Sequence, residues 1–179
     1  MDKATLAIKK NIEVIKDFPI KGISFQDIFS ITRKPDIFKL ITQEIIKIIK
    51  KQKITKIVGI ESRGFLFGTA ASYKAGLPFI PIRKSGKLPG KITKVEYKLE
   101  YGHDAVEIQS SVIKKSDNIL LVDDLIATGG TALASVKLLR KFNSKKINSF
   151  FVIDLENLKG SDRLKKQGIE IHSLYKTDG

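Results

Sequence analysis

Asn118-Ile-Leu-Leu-Val-Asp-Asp-Leu-Ile-Ala-Thr-Gly-Gly-Thr131 is the stretch from which the rest of the chain is best read. Asn118 to Val122 is a continuous apolar run, the pattern of a strand buried on both faces of a parallel sheet. Two adjacent carboxylates follow, Asp123 and Asp124, at the strand end where open α/β sheets bind ligands. A turn of small residues then leads into a helix from Thr131 to Phe142, with Leu133, Val136, Leu138 and Leu139 as its apolar positions. The free N–H groups and the dipole at such a helix start favour a phosphate. Gly129 and Gly130 permit close backbone approach, and Thr128 and Thr131 add hydroxyls. No lysine follows the glycines as in a Walker loop, and their spacing is not that of a dinucleotide fingerprint. Two carboxylates beside one phosphate cradle point to a ligand with a monophosphate and a vicinal diol, which describes ribose 5-phosphate. An ordinary strand-to-helix turn needs neither the second Asp nor the Thr-Gly-Gly-Thr run.

Working outward, strands and helices alternate. Ile54–Ile60 reads as a strand, Phe65–Ala75 as a helix stopped by Gly76, and Leu77–Ile82 as a strand. Ile147–Ile153 and Ile169–Leu174 are further strands, separated by a short helix from Ser161 to Gln167. The alternation predicts an α/β fold with a largely parallel sheet flanked by helices. Arg83 to Thr93 is basic and rich in Gly and Pro, so a mobile loop is expected there. Lys94–Leu99 and Ala105–Ile108 alternate around Gly102 and pair as two strands. Towards the N-terminus, Leu6–Asp17 carries Ile8, Ile12 and Ile15 at helical spacing and is expected to be a helix ended by Pro19. Gly22–Ile28 is a short loop or strand, and Pro35–Gln52 is a second helix with Pro35 in its first turn.

Composition bounds the reading. A chain of 179 residues fits one domain with a full core. With no cysteine there is no disulfide, thiolate metal site or cysteine nucleophile. The N-terminus does not read as a signal peptide and no apolar run approaches a membrane span, so a cytoplasmic protein without a membrane partner is expected. The net charge of +14 raises the question of nucleic acid. Lysine supplies it, however: only Arg33, Arg63, Arg83, Arg140 and Arg163 carry the guanidinium forks that read bases and phosphates. Lysines along the whole chain describe a solvated surface, and no nucleic-acid partner is expected. His103 and His172 read as an isolated loop residue and an isolated strand residue, not a metal site.

The Val-Asp-Asp-Leu-Ile-Ala-Thr-Gly-Gly-Thr segment resembles the 5-phosphoribosyl 1-pyrophosphate signature of the type I phosphoribosyltransferases. Asp17-Phe18-Pro19 with Gly22 to Ile28, Glu61 to Gly68, Arg83 to Pro89, and Tyr97 to Gly102 narrow the resemblance to the adenine phosphoribosyltransferases. It covers roughly Asp17 to Gly168. It implies a single domain over 1–179, with an N-terminal hood that binds the base over about 1–34 and a flexible lid loop and hairpin over 83–108.

The activity implied is transfer of 5-phosphoribosyl from 5-phosphoribosyl 1-pyrophosphate to adenine, giving AMP and pyrophosphate, with Mg2+ held mainly by substrate and water and no direct protein ligand. By the same resemblance, Asp123 and Asp124 hold the ribose hydroxyls and stabilise developing charge, and Ala127, Thr128, Gly129, Gly130 and Thr131 bind the 5′-phosphate. Glu61, Ser62 and Arg63 form a pyrophosphate loop, where a non-proline cis peptide is implied. Arg83, Lys84 and Lys87 neutralise the leaving pyrophosphate. Glu100 is the implied acid or base. Ser24, Phe25 and Gln26 bind adenine, with Gln26 standing where many relatives have Arg. A homodimer is implied. Two alternatives remain at this point: a phosphoribosyltransferase for another purine, and a non-catalytic regulator that senses ribose phosphates and binds nucleic acid.

Overall fold

The structure, a computed structural model, describes residues 2–98 and 103–178. Seven strands form the main sheet in the order β5-β6-β4-β3-β7-β8-β9. They are β3 (Lys56–Ile60), β4 (Phe79–Lys84), β5 (Ile92–Lys98), β6 (His103–Gln109), β7 (Asn118–Ile126), β8 (Lys146–Leu155) and β9 (Glu170–Thr177). β3, β4, β7, β8 and β9 run parallel, whereas β5 and β6 form an antiparallel hairpin against the edge of β4. The buried central strands β7 and β8 carry the longest apolar runs, which only a sheet covered on both faces accommodates.

The helices divide between those faces. α3 (Pro35–Gln52) and α4 (Gly64–Ala75) bury Ile41, Ile45, Phe67 and Ala71 in a cluster with Ile57, Leu120 and Phe150. α5 (Gly130–Arg140) and α6 (Gly160–Lys165) bury Val136, Leu138, Leu139 and Leu164 on the other side, with Ile119, Leu121 and Phe151. β3 therefore connects through α4 to β4 on one side, and β7 connects through α5 to β8 on the other. The ends of β3 and β7 form a topological switch point, where a crevice opens for ligands.

The N-terminal region differs from the sequence expectation. α1 (Lys3–Asn11) is capped by Asp2, whose carboxylate accepts from the Thr5 N–H, and it ends at Ile12, which is already extended. Glu13–Lys16 is β1, paired antiparallel with β2 (Ser24–Asp27) in a separate two-stranded sheet. Val14 and Ile15 suit a strand better than a helix, and the helical spacing through Ile15 continues by coincidence. Pro19 sits in the connecting turn, after a cis Phe18–Pro19 bond. A short helix not anticipated, α2 (Ile28–Thr32), follows under an Asp27 cap. This region packs onto the main body: Ile8, Ile28 and Ile31 belong to the same buried cluster as α3, and the Thr5 hydroxyl donates to the Leu174 carbonyl of β9 at 2.7 Å.

Elsewhere the differences are of extent. β4 continues through Arg83 and Lys84, β6 begins at His103, so that His103 is a strand residue and not a loop residue, and β7 runs on to Ile126. Among the described residues, no helix is long and apolar enough to cross a membrane.

Candidate active site

A 480 Å³ cavity lies at the switch point. Its walls are the end of β3 (Ile60 to Arg63), the end of β7 with the following turn (Asp123 to Ala132), and Lys84, Tyr97 and Asp104. The stretch that opened the sequence reading thus forms more than half of one cavity wall. Asp123 and Asp124 both reach the cavity, although β7 continues past them.

The turn is built for an anion. Gly129 is left-handed, with φ +78°, and forms the cap of α5 without a side chain to obstruct it. The first N–H groups of α5, from Gly130 to Ala132, have no intrahelical acceptor by the geometry of any helix start. The carbonyls of the turn are already engaged: Ala127 O accepts from Gly160 N at 3.0 Å, Thr128 O from Arg163 Nη1 at 2.7 Å, and Gly129 O from Leu133 N at 2.9 Å. The carbonyls of the turn are thus directed to other partners, and the N–H groups are left for a ligand.

Burial, with the adjacent Asp124 charge, pushes the Asp123 carboxyl well above the ordinary carboxylate range. Burial raises Asp124 as well, and the Arg63 guanidinium pulls it part of the way back. Arg63 Nε stands 2.7 Å from Asp124 Oδ2. The close approach of α4 to β7 makes that pair possible, because a Cβ at Gly64 would lie 2.5 Å from the Val122 carbonyl. The same guanidinium lies 5.7 Å from the centre of the Phe25 ring, at cation–π distance.

At the end of β3, the peptide between Glu61 and Ser62 is cis, as the resemblance implied. Glu61 accepts from Arg83 Nε and Nη2 at 3.2 and 3.1 Å, from the Lys84 N–H at 2.9 Å and from Lys87 Nζ at 3.0 Å. Burial alone would raise this carboxyl, but those donors prevail and hold it at about 2. The loop after β4 is tied down in this way, with further bonds from Ser85 and the Gly86 N–H to Glu107. The basic loop expected from composition is thus in contact with two distant glutamates, Glu61 and Glu107.

Of the residues singled out in the sequence, Glu61, Ser62, Arg63, Lys84, Asp123, Asp124 and Ala127 to Thr131 line the cavity. Arg83 and Lys87 stand behind Glu61. Ser24, Phe25 and Gln26 are not part of its wall; Phe25 reaches it through Arg63, and the Gln26 side chain is buried on the opposite face of β2. Glu100 lies outside the described residues. Sequence reasoning missed Tyr97 and Asp104. The Tyr97 hydroxyl is 3.2 Å from both Asp104 Oδ2 and Thr131 Oγ1, and Lys84 Nζ is 3.4 Å from Asp104. Burial raises the Tyr97 phenol. The available signal was strand alternation, which sets Tyr97 on the face shared with Val95.

A parallel sheet with a phosphate turn and vicinal carboxylates at its switch point defines a class of ribosyl-phosphate site, and comparison with known proteins agrees. Residues 28–174 match the model of the phosphoribosyl transferase domain, and the chain belongs to that family. Its full-length similarity is to adenine phosphoribosyltransferases. The one from Pseudoalteromonas translucida (strain TAC 125) is 45% identical over 180 residues, covering 100% of this chain and 99% of the relative. The crystal structure of adenine phosphoribosyltransferase from Thermoanaerobacter pseudethanolicus superimposes with a TM-score of 0.90 at 39% identity, covering 97% of this chain and 99% of that one. The APRTase of Giardia lamblia, complexed with 9-deazaadenine, gives 0.91 at 34% identity, covering 99% of each chain.

Proposed function

We propose that the protein transfers the 5-phosphoribosyl group of 5-phosphoribosyl 1-pyrophosphate to adenine, forming AMP and pyrophosphate in purine salvage. The observation that carries this reading is the meeting, in one cavity, of adjacent carboxylates, a turn with free N–H groups at a helix start, and the cations Arg63 and Lys84. Similarity to adenine phosphoribosyltransferases along the whole chain supports the choice of base.

In this mechanism the turn from Ala127 to Thr131 holds the 5′-phosphate through N–H groups and the two threonine hydroxyls. Asp123 and Asp124 accept hydrogen bonds from the ribose 2′- and 3′-hydroxyls. As the C1′–O bond to pyrophosphate lengthens, positive charge grows on the ribose, and these carboxylates stabilise it more than they stabilise the ground state. Adenine N9 forms the new bond to C1′ and gives up its proton. Glu100 is the proposed acid or base for that proton or for one at N7.

Arg63, Lys84, Arg83 and Lys87 balance the departing pyrophosphate, with the Glu61–Ser62–Arg63 turn as its bed. Arg63 pairs with Asp124, and the proposed ligand has groups for both partners: hydroxyls for Asp124, pyrophosphate for Arg63. Phe25 supplies the face on which the base lies, and the main chain of Ser24 to Gln26 reads its edge. Mg2+ fits this site, since it dehydrates reluctantly and is held by substrate phosphates. Held mainly by substrate and water with no direct protein ligand, it would neutralise pyrophosphate charge. The proposed working form is a cytoplasmic homodimer of single-domain subunits, with residues 1–34 as hood and 83–108 as lid loop and hairpin. Exposed Leu66 and Tyr73 on α4, the helix that begins beside Arg63, offer a surface for the second subunit.

The test is to incubate the protein with Mg2+, 5-phosphoribosyl 1-pyrophosphate and each purine base and to identify the nucleotide formed. Adenine and hypoxanthine present opposite donor and acceptor patterns. Two mispaired buried groups give at least ~10²-fold preference for adenine in kcat/KM. Comparable use of both bases would overturn the choice of adenine.

A further inference from the structure

We propose that the segment from Leu158 to Leu164 is the backing that sets the 5′-phosphate turn in its binding shape, with Gly160 and Arg163 as positioning residues. The inference rests on the reading of the cavity as a ribosyl-phosphate site. A phosphate turn works only if its N–H groups face the ligand and its carbonyls face away. In this chain the carbonyls are drawn away by groups about 30 residues further on. Gly160 N–H binds the Ala127 carbonyl at 3.0 Å, and Arg163 Nη1 binds that of Thr128 at 2.7 Å. The packing is back to back. A Cβ at Gly160 would lie 2.2 Å from the Ala127 oxygen and 2.8 Å from Gly129 N. A Cβ at Gly129 would in turn lie 3.0 Å from the Gly160 Cα. Neither position admits a side chain without moving the turn.

The backing is itself fixed to the sheet. Ser161, which is buried, donates its hydroxyl to Asp154 Oδ2 at 2.6 Å. Asp154 is buried on β8, directly across from Ile126, the last residue of β7 before the turn. One path therefore closes on itself: from the end of β7 to the turn, across to Gly160 and Arg163, through Ser161 to Asp154, and back to β7. Gly160 and Arg163 touch the turn from behind, and neither is part of the cavity wall. Their effect is confined to the half of the site that receives the phosphate.

The experiment uses the full chain with Arg163→Ala, Arg163→Lys and Gly160→Ala. It measures ribose 5-phosphate binding by calorimetry, KM for each substrate, kcat and Tm. Loss of a charge-assisted hydrogen bond in Arg163→Ala is expected to weaken ribose 5-phosphate about tenfold. KM for 5-phosphoribosyl 1-pyrophosphate should rise by the same factor, with kcat and KM for adenine within about twofold. Arg163→Lys, which keeps one charged donor, is expected to recover most of the loss. Gly160→Ala, which must displace the Ala127 carbonyl, is expected to cost more than Arg163→Ala. Unchanged ribose 5-phosphate affinity in Arg163→Ala would overturn the proposal even if Gly160→Ala fails to fold. So would equal losses for both substrates that track a fall in Tm, since that is the mark of general destabilisation. If the unmodified protein binds ribose 5-phosphate but makes no AMP, the assigned reaction fails while this inference stands. If it binds none, the underlying reading and this inference fall together.

Discussion

The two strand ends that frame the cavity are built by opposite means. At the end of β7 the cavity-lining groups come from one short run, Asp123 to Thr131, and the proposed anion contacts are backbone N–H groups. At the end of β3 the charged groups gather from distant places: Glu61 holds Arg83, Lys84 and Lys87, from more than twenty residues away. The first arrangement is fixed by chain geometry and steric fit. The second is an ion-pair knot, held by charges that acid or a competing anion can release. In the proposed reaction a ribosyl phosphate has to be held rigidly while a pyrophosphate has to be let go, and the two constructions suit those proposed tasks.

The sharpest way to break the comparison is at the rigid end. Asp124→Asn is expected to lower kcat/KM by ~10² or more while the protein stays folded. Activity like that of the unmodified protein would take the ribose role from this carboxylate. Glu61→Gln acts at the other end. With its anchor neutralised, the Ser85 to Lys91 loop should be cut by trypsin about tenfold faster in the free protein. Equal cleavage rates would mean that the glutamate does not hold the loop.

Titration separates the two ends further. Glu61 is lowered from 4.5 to about 2, so its contribution to stability is present above about 4.5 and is lost as pH falls towards 2. The stability difference between the unmodified protein and Glu61→Gln should shrink over that window in acid unfolding. Asp123 carries the opposite sign. Its folded value is raised above 3.8, so the protonated form is the better tolerated one, and stability is lost as pH rises through the folded value. Asp123→Asn is therefore expected to stabilise the protein relative to the unmodified chain as pH rises, with a gain in Tm that shrinks as pH falls. The smallest effect is at the base. Ser24→Ala should change the adenine preference by no more than about twofold, because the main chain survives the substitution.

How much of this was legible followed the same division. The β7 strand, its carboxylates and the phosphate turn are contiguous, so periodicity and residue type revealed them together. The central parallel strands were legible because burial on both faces leaves an unbroken apolar run. The helix over Leu6–Asp17 was misread: Ile8, Ile12 and Ile15 continue a helical period, yet only Ile8 is fully buried, and the chain turns to a strand at Glu13. The anchored loop after β4 reads locally as mobile, because Glu61 and Glu107, which restrain it, lie far away in sequence. Tyr97, Asp104 and Arg163 escaped notice for the same reason, since each acts on a partner that only the fold brings near.

Tyr97 has one more use. The chain has no tryptophan and four tyrosines, and the Tyr97 phenol is hydrogen-bonded to Thr131, a hydroxyl of the phosphate turn. In the proposed mode a phosphate at that hydroxyl would change the phenol's bonding, so the near-ultraviolet absorption and emission of the protein should shift as the site fills. Without indoles to mask it, the cavity carries its own optical gauge of occupancy. Ligand titrations can then be followed on the unlabelled protein, with Tyr97→Phe as the blank.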